Sequence, residues 1–406
     1  MNETKIKKSI SAVKRFLLLD RLGNGTASEA IILWLSIVPF IDYVSGAMLF
    51  LAVAGAIVFN KKALKTVVSD KKAFLLCCFI SGFSMLSSII SGNLIGIAIS
   101  IGIGCFLLIA LYLKETVTAR SFRKSTVVIS VGSVVSMLAA LFQKKFIFPD
   151  GDLYRPTAGA FNANYFGAIT VMTILIAIVR LFDGEETEQE HKWYEPTKFY
   201  WIFIISANII SLLISESRSS LLSLTVCVIV FLFLKRRYVS SGIAVLGGGG
   251  IWLIGWMYPD VFSWTNSLSF IFTERAVIWE NAFKSFSQNA YTALMGRGPM
   301  SYYFVMEEEG LFAANHAHNL LLDSLINVGL IGTVLYAAFA VFALRVTLKK
   351  RKDGDSGGFI LSVLIITQVL VQGLADVTIM WHQCAALAGI MLMGKYKLNK
   401  EIVSDK

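Results

Sequence analysis

The stretch NHAHNLLLDSLINVGLIGTVLY, residues Asn315 to Tyr336, sets two histidines and an asparagine directly before an apolar run that extends to about residue 344. A run of this length that is nearly free of charge can cross a bilayer as a helix, since about twenty residues span the roughly 30 Å of hydrocarbon. His316 and His318 are two of only four histidines in the chain. The side chain best suited to proton transfer near neutrality therefore stands at the mouth of a membrane helix. The apolar pattern recurs on both sides of this stretch: of 406 residues, 56% are hydrophobic and 16% charged, more apolar than a soluble core requires.

Twelve such segments are expected, over residues 28–41, 43–59, 73–91, 94–113, 125–142, 163–182, 199–215, 219–234, 240–257, 319–344, 359–376 and 379–394. Only Asp42 and Tyr43 separate the first two. The expected fold class is an all-α polytopic membrane protein, a single transmembrane domain over residues 1–406 with one large loop, 258–317, between the ninth and tenth spans. Lys and Arg collect in cytoplasmic loops. With the N-terminus inside, the outer segments hold only Lys144, Lys145, Arg155, Arg218, Arg275, Lys284 and Arg297, and the rest of the 37 basic residues fall on the inner side. Both termini are thus expected in the cytoplasm. The net charge of +10 follows from this topology and from anionic inner-leaflet lipid, not from a nucleic-acid partner.

The basic start KIKKSISAVKRFLLLD, from Lys5, lacks the apolar stretch and small-residue site of a cleaved signal peptide and is expected as an amphipathic helix on the inner face. The five cysteines, Cys77, Cys78, Cys105, Cys227 and Cys384, all fall in apolar spans without a paired spacing and are expected to pack in the core. The run Gly247 to Gly250 suits close approach of helices.

Ionisable groups are nearly absent from the centres of the spans, which argues against an ion-coupled transporter or a glycan-lipid flippase. Instead Arg155, Arg218, Arg275, Arg297, His316, His318 and Asp376, from separate segments of the sequence, all fall on the outer side. This is the pattern of one site built from several loops. YRPTAGAFNANYFG (Tyr154–Gly167) suits a turn and then a helix N-terminus able to favour an anion, with a plain re-entry turn as the alternative. In SESRSS, Ser215 to Ser220, Arg218 either pairs with Glu216 or binds a substrate anion. TERAVIWENAFKSF carries apolar residues at helical spacing with Thr273 placed to cap, an interfacial helix on which Arg275 and Trp279 share a side. GRGP at Gly296 breaks the chain before EEEG at Glu307, a solvated turn. His316 and His318, two apart, fall on one face of an extended segment, but spacing supplies no third metal ligand. A neutral histidine accepting a hydroxyl proton suits them better; His318 as a mere helix cap is the alternative.

Taken together, these segments resemble the bacterial O-antigen ligase and O-antigen polymerase superfamily. HNLLLDSLINVGLIG (His318–Gly332) has its His-Asn, nine-residue gap and Gly-x-x-Gly; RPTAGAFNAN resembles its Arg-Pro-Thr segment, SRSSLLSL its Ser-Arg hairpin and RAVIWENAF its Arg-x-x-x-Trp helix. The resemblance covers residues 155–332, and Ala160 departs from it where members often carry a polar residue or Gly.

The resemblance implies a GT-C-like membrane glycosyltransferase that acts outside the cytoplasmic (inner) membrane, on a glycan carried by undecaprenyl diphosphate. It implies His318 as the essential histidine and Arg218 and Arg275 as diphosphate ligands, with Arg155 in a matching motif and expected beside them. Read from the residues, Asn319, His316 and Asp376 are expected in support, and no metal or cofactor is expected. The expected partners are the lipid-linked donor, a glycan acceptor and the bilayer, with a separate chain-length regulator or co-polymerase in the case of a polymerase. A polymerase joining repeat units into capsule, exopolysaccharide or O-antigen is the first expectation. A ligase passing the finished glycan to lipid A-core or a protein is the alternative.

Overall fold

The structure, a computed structural model, describes residues 25–147, 155–182, 196–257, 263–303 and 316–396, with the side chains of 25–28, 251–257 and 263–274 excepted. The expected basic N-terminal helix, the Glu307 turn and the head of the loop at Tyr258 lie outside the described residues.

The order of helices is α1 (Gly25–Ile37, running into a 3-10 turn Val38–Phe40), α2 (Tyr43–Phe59), α3 (Lys61–Val68), α4 (Lys71–Ile90), α5 (Leu94–Thr116) and α6 (Ala119–Phe142), closed by a π turn Gln143–Ile147. After these come α7 (Ala163–Phe182), α8 (Lys198–Ser215), α9 (Arg218–Leu234), α10 (Tyr238–Met257), α11 (Ser263–Phe286) and α12 (Ala290–Met295). The last three are α13 (Leu320–Lys352), α14 (Ser356–Gly373) and, after a 3-10 turn Thr378–Met380, α15 (His382–Met393). No strand occurs among the described residues.

The all-α polytopic class holds, and each of the twelve expected segments falls on a helix. Seven helices are long and apolar enough to cross a membrane singly, or eight when α2 and α3, bent by 89° at Asn60, count as one broken span. The segments 28–41, 219–234 and 379–394 fall instead on shorter apolar helices, so twelve full crossings are not established. The basic segment after residue 60, expected as a connection, is itself the helix α3. Asn60 caps it by accepting from the Lys62 and Ala63 N–H groups, and Ala63 and Val67 are buried on one face.

Helix α7 is the central post, with 78% of its most apolar window buried. It packs on α8, α9, α14 and α15. Its own sequence explains the position: Gly167, Ala168, Ala177 and the threonines Thr170 and Thr173 keep its sides narrow, and all are buried. Between spans, hydroxyls and amides satisfy each other in the dry interior, as in Ser36 to Ser125 at 2.6 Å and Asn208 to Ser133 at 2.9 Å. Three cysteines (Cys77, Cys227, Cys384) are buried as expected, whereas Cys78 is exposed, so core packing does not account for it. The glycine run also corrects its expectation: only Gly248 meets a neighbour, Thr225 of α9, and the other three face open space.

The interfacial helix differs in extent. It begins at Ser263, so Thr273 lies within α11 and is not its cap. One side of α11, through Ile278, Ala282 and Phe286, packs on Tyr302, Ala317 and Ile326 at the head of α13, while Val277 and Phe283 are exposed.

Helix α13 is interrupted where the Gly-x-x-Gly stands. Gly329 takes φ +62° and ψ −170°, a conformation that costs a residue with a Cβ. A Cβ there would lie 2.4 Å from the Leu294 backbone, because Gly296 and Gly329 pass each other chain against chain. We expect Gly329→Ala to lower the melting temperature in detergent, with about 1–3 kcal/mol lost to the backbone conformation alone. Gly249→Ala, which meets nothing, should hold or raise it.

Candidate active site

The site is assembled around the carboxylate of Asp376, fully buried just past the end of α14. Its Oδ1 accepts from the Val377 N–H at 2.7 Å and is 2.8 Å from His316 Nε2; its Oδ2 accepts from Asn164 Nδ2 at 2.6 Å. His318 Nδ1 stands 3.7 Å from the same Oδ1, beyond hydrogen-bond range. The two imidazole rings lie 4.3 Å apart, His316 buried and His318 partly exposed.

The histidines meet as expected but not through extended backbone. His318 sits at φ +50°, a left-handed conformation uncommon outside glycine. It does not cap α13 either. Asn319 does so, its Oδ1 accepting from the Leu321 and Leu322 N–H groups. The loop is pinned below by Asp323, which accepts from the Ala317 N–H at 3.1 Å and from the Asn327 amide at 2.7 Å.

Arg155 uses its Nε on the Ser215 carbonyl at 3.0 Å and its Nη2 on Asn164 Oδ1 at 2.7 Å. The anion-favouring N-terminus expected at α7 is largely spent. Asn162 Oδ1 accepts from the Asn164 and Tyr165 N–H groups, so the helix caps itself.

Arg218 differs. The expected alternative, pairing with Glu216, is not found, since Glu216 takes Lys144 at 3.1 Å. Arg218 is the first residue of α9, and its Nη1 is buried without a hydrogen-bond partner among the described residues. Ser217 places no side-chain cap on α9, because its hydroxyl goes to Asn164 Oδ1 and Ser220. An uncapped helix N-terminus and an unpaired guanidinium N–H thus stand together, which is the composition of an anion site. Arg275, on α11, makes no hydrogen bond or ion pair among the described residues and lies within the field of Asp376 and His316. Arg297 is turned elsewhere: its guanidinium bonds Gln288, and its backbone is tied to Ile326 and Asn93.

Asp376 also supplies what spacing could not. His316, His318 and Asp376 offer ligand atoms within 4.8 Å of one another, a set that would admit a metal ion. Arg155 and Arg275 add positive charge to the same site and disfavour one.

Residues 201–337 match the family described as O-antigen ligase. The match covers about a third of the chain. No curated protein matches it. The matched O-antigen ligase segment carries Arg218, Arg275, His316 and His318. Arg155, Asn164 and Asp376 lie outside the segment and are joined to it only by the fold.

Sequence reading missed Asn164, Ser217 and Asp323 as parts of this network. Two of the three stand in segments singled out as polar, but short amides and hydroxyls there have a local capping role that masks a distant partner.

Burial alone would pull the His316 imidazole down, but the hydrogen bond to Asp376 and that carboxylate's charge outweigh it and raise it above the ordinary histidine value. Burial also opposes ionisation of Asp376, yet the bond from His316 and the charges of both histidines hold its carboxyl well below the usual carboxylate range. A group raised on folding stabilises fully below its unfolded pKa, about 6.5 for histidine, and loses that contribution as pH rises through the folded value. The gap in melting temperature between the wild type and His316→Gln should therefore be widest near pH 5 to 6. It should narrow as the pH is raised from about 6.5 toward 8.5, followed by thermal unfolding in detergent.

Proposed function

We propose that this protein is a polysaccharide polymerase of the cytoplasmic membrane. It joins undecaprenyl-diphosphate-linked oligosaccharide repeat units on the extracytoplasmic side, without a metal and with inversion at the anomeric carbon. The observation that carries this reading is the pairing of an unpartnered cationic anion site, Arg218 with the α9 N-terminus and Arg275, with a carboxylate-backed histidine pair.

In the reaction, the acceptor hydroxyl oxygen bonds to the anomeric carbon of the donor glycan as the bond from that carbon to the diphosphate breaks. Negative charge builds on the departing diphosphate. Arg218 and Arg275 receive it, fixed in a partly buried setting where such contacts are stronger than in water. His318 Nε2, which makes no hydrogen bond to a described residue, takes the hydroxyl proton. Its Nδ1 faces Asp376 across 3.7 Å, so a carboxylate stands ready to stabilise the imidazolium as it forms, and the gap closes to a hydrogen bond with substrate in place. His316 holds the same carboxylate from its other side. The positive-inside distribution of basic residues supports an outward position for this end of the bundle.

A deletion strain carrying His318→Ala, with expression in the membrane verified, tests the reading. Surface polysaccharide should collapse to single repeat units, and turnover of purified protein should fall by about 10² to 10⁴. Long chains left on the lipid carrier would instead identify a ligase. Wild-type polymer would remove His318 from the chemistry. Arg218→Lys should keep the charge yet lose most activity, because a single ammonium cannot replace a planar guanidinium at a diphosphate.

A further inference from the structure

The diphosphate-ligand role expected for Arg155 fits poorly with what its guanidinium already does. Both Nε and Nη2 are engaged, on the Ser215 carbonyl and on Asn164 Oδ1, so a phosphate could take that edge only by displacing both bonds. Arg218 and Arg275, by contrast, carry no such bonds among the described residues.

The bonds at Asn164 define its orientation. Its Oδ1 accepts from Arg155 Nη2 at 2.7 Å and from Ser217 Oγ at 3.2 Å, and its Nδ2 donates to Asp376 Oδ2 at 2.6 Å. Rotating the amide by half a turn would set an NH₂ against the guanidinium and an oxygen against the carboxylate, two repulsive contacts in place of two bonds. Its backbone is held as well, since its N–H goes to Asn162 Oδ1 and its carbonyl accepts from Gln372 Nε2. The amide therefore lies between a cation and an anion that would otherwise form a direct ion pair. With Asn164 interposed, Arg155 neutralises part of the buried charge from a distance while Oδ1 of Asp376 stays turned to the two histidines.

We propose that Asn164 is a positioning residue for the transfer reaction, orienting the Asp376 carboxylate for His316 and His318, and that Arg155 acts through Asn164 and does not bind the donor. This rests on the function proposed above.

The test separates binding from turnover in purified full-length protein in nanodiscs. Affinity for undecaprenyl diphosphate is measured beside turnover of the lipid-linked repeat unit extracted from the deletion strain. Arg155→Ala and Asn164→Ala should each lower turnover by about tenfold or more while undecaprenyl diphosphate affinity stays within about twofold. The double variant should be little worse than either single one, because the two residues act as one unit. Asn164→Leu, which keeps much of the side-chain shape without donor or acceptor, should lose turnover as fully; it also serves if the alanine variant does not fold. Arg218→Ala should weaken undecaprenyl diphosphate binding by about tenfold or more. Loss of affinity in Arg155→Ala comparable to that in Arg218→Ala, or additive losses in the double variant, would overturn the positioning role and leave the polymerase reading intact. A wild-type protein that neither binds undecaprenyl diphosphate nor turns over the repeat unit would overturn both.

Discussion

A carboxylate buried without an arginine or lysine bonded to it is the constraint on which the site depends. Asp376 is fully buried and its direct donors are a backbone N–H, an asparagine amide and a histidine. A lone buried charge is costly unless it is hydrogen-bonded and compensated. The fold meets that cost with groups drawn from α7, the loop before α13, and the turn after α14, which are far apart in sequence. Each of those elements must stop in register for the carboxylate to be satisfied. This is why α7 caps itself at Asn162, why Asn319 starts α13 directly after His318, and why α14 ends at Gly373, three residues short of Asp376.

The same requirement explains the strained points. His318 at φ +50° and Gly329 at φ +62° lie near the two ends of the first part of α13. The first turns the imidazole back toward Asp376. The second lets the strand of chain at Gly296 pass at backbone contact, and Gly298 then bonds the Asn327 carbonyl at 2.6 Å. Strain of about 1–3 kcal/mol at such positions persists only where surrounding contacts over-determine it. Here Asp323, Asn327 and Ser301 form that surrounding lattice, through bonds between 2.7 and 3.3 Å.

How much of this is legible in the sequence follows from the range of each interaction. The apolar segments are readable because membrane burial acts residue by residue, and all twelve fall on helices. Whether each crosses the bilayer is less so: α1, α9 and α15 lie close to the expected segments yet are shorter apolar helices than a full crossing needs. The amphipathic α3 hides in a lysine-rich stretch whose charge dominates any reading of it. In the site, Arg218, Arg275 and the histidines stand out as costly polar residues beside apolar runs. That Glu216 turns to Lys144, leaving Arg218 Nη1 unpaired, is a choice between two neighbours that spacing cannot make. Asn164 is the sharper case: it reads as one of two turn asparagines, yet Asn162 makes the cap, and its own partners Arg155 and Asp376 are 9 and 212 residues away.

The distribution of charge also bears on how a held site differs from a transport pathway. Arg155, Asn164, Ser217 and Asp376 are joined in one network, and from Ser217 it runs on through neutral groups. Ser217 and Ser220 are bonded at 2.8 Å, Gln372 reaches Ser220 at 3.0 Å, and Gln368 reaches Gln372 at 2.6 Å. These neutral amides and hydroxyls stiffen the junction of α7, α9 and α14 without placing net charge in hydrocarbon, where each ion would cost several kcal/mol. A transporter must move such groups between two sides. A site that displaces a diphosphate needs them held still, since fixed dipoles and charges stabilise a developing anion only when they do not reorganise around it. The buried, cross-bonded arrangement around Asp376 suits the second task and would obstruct the first.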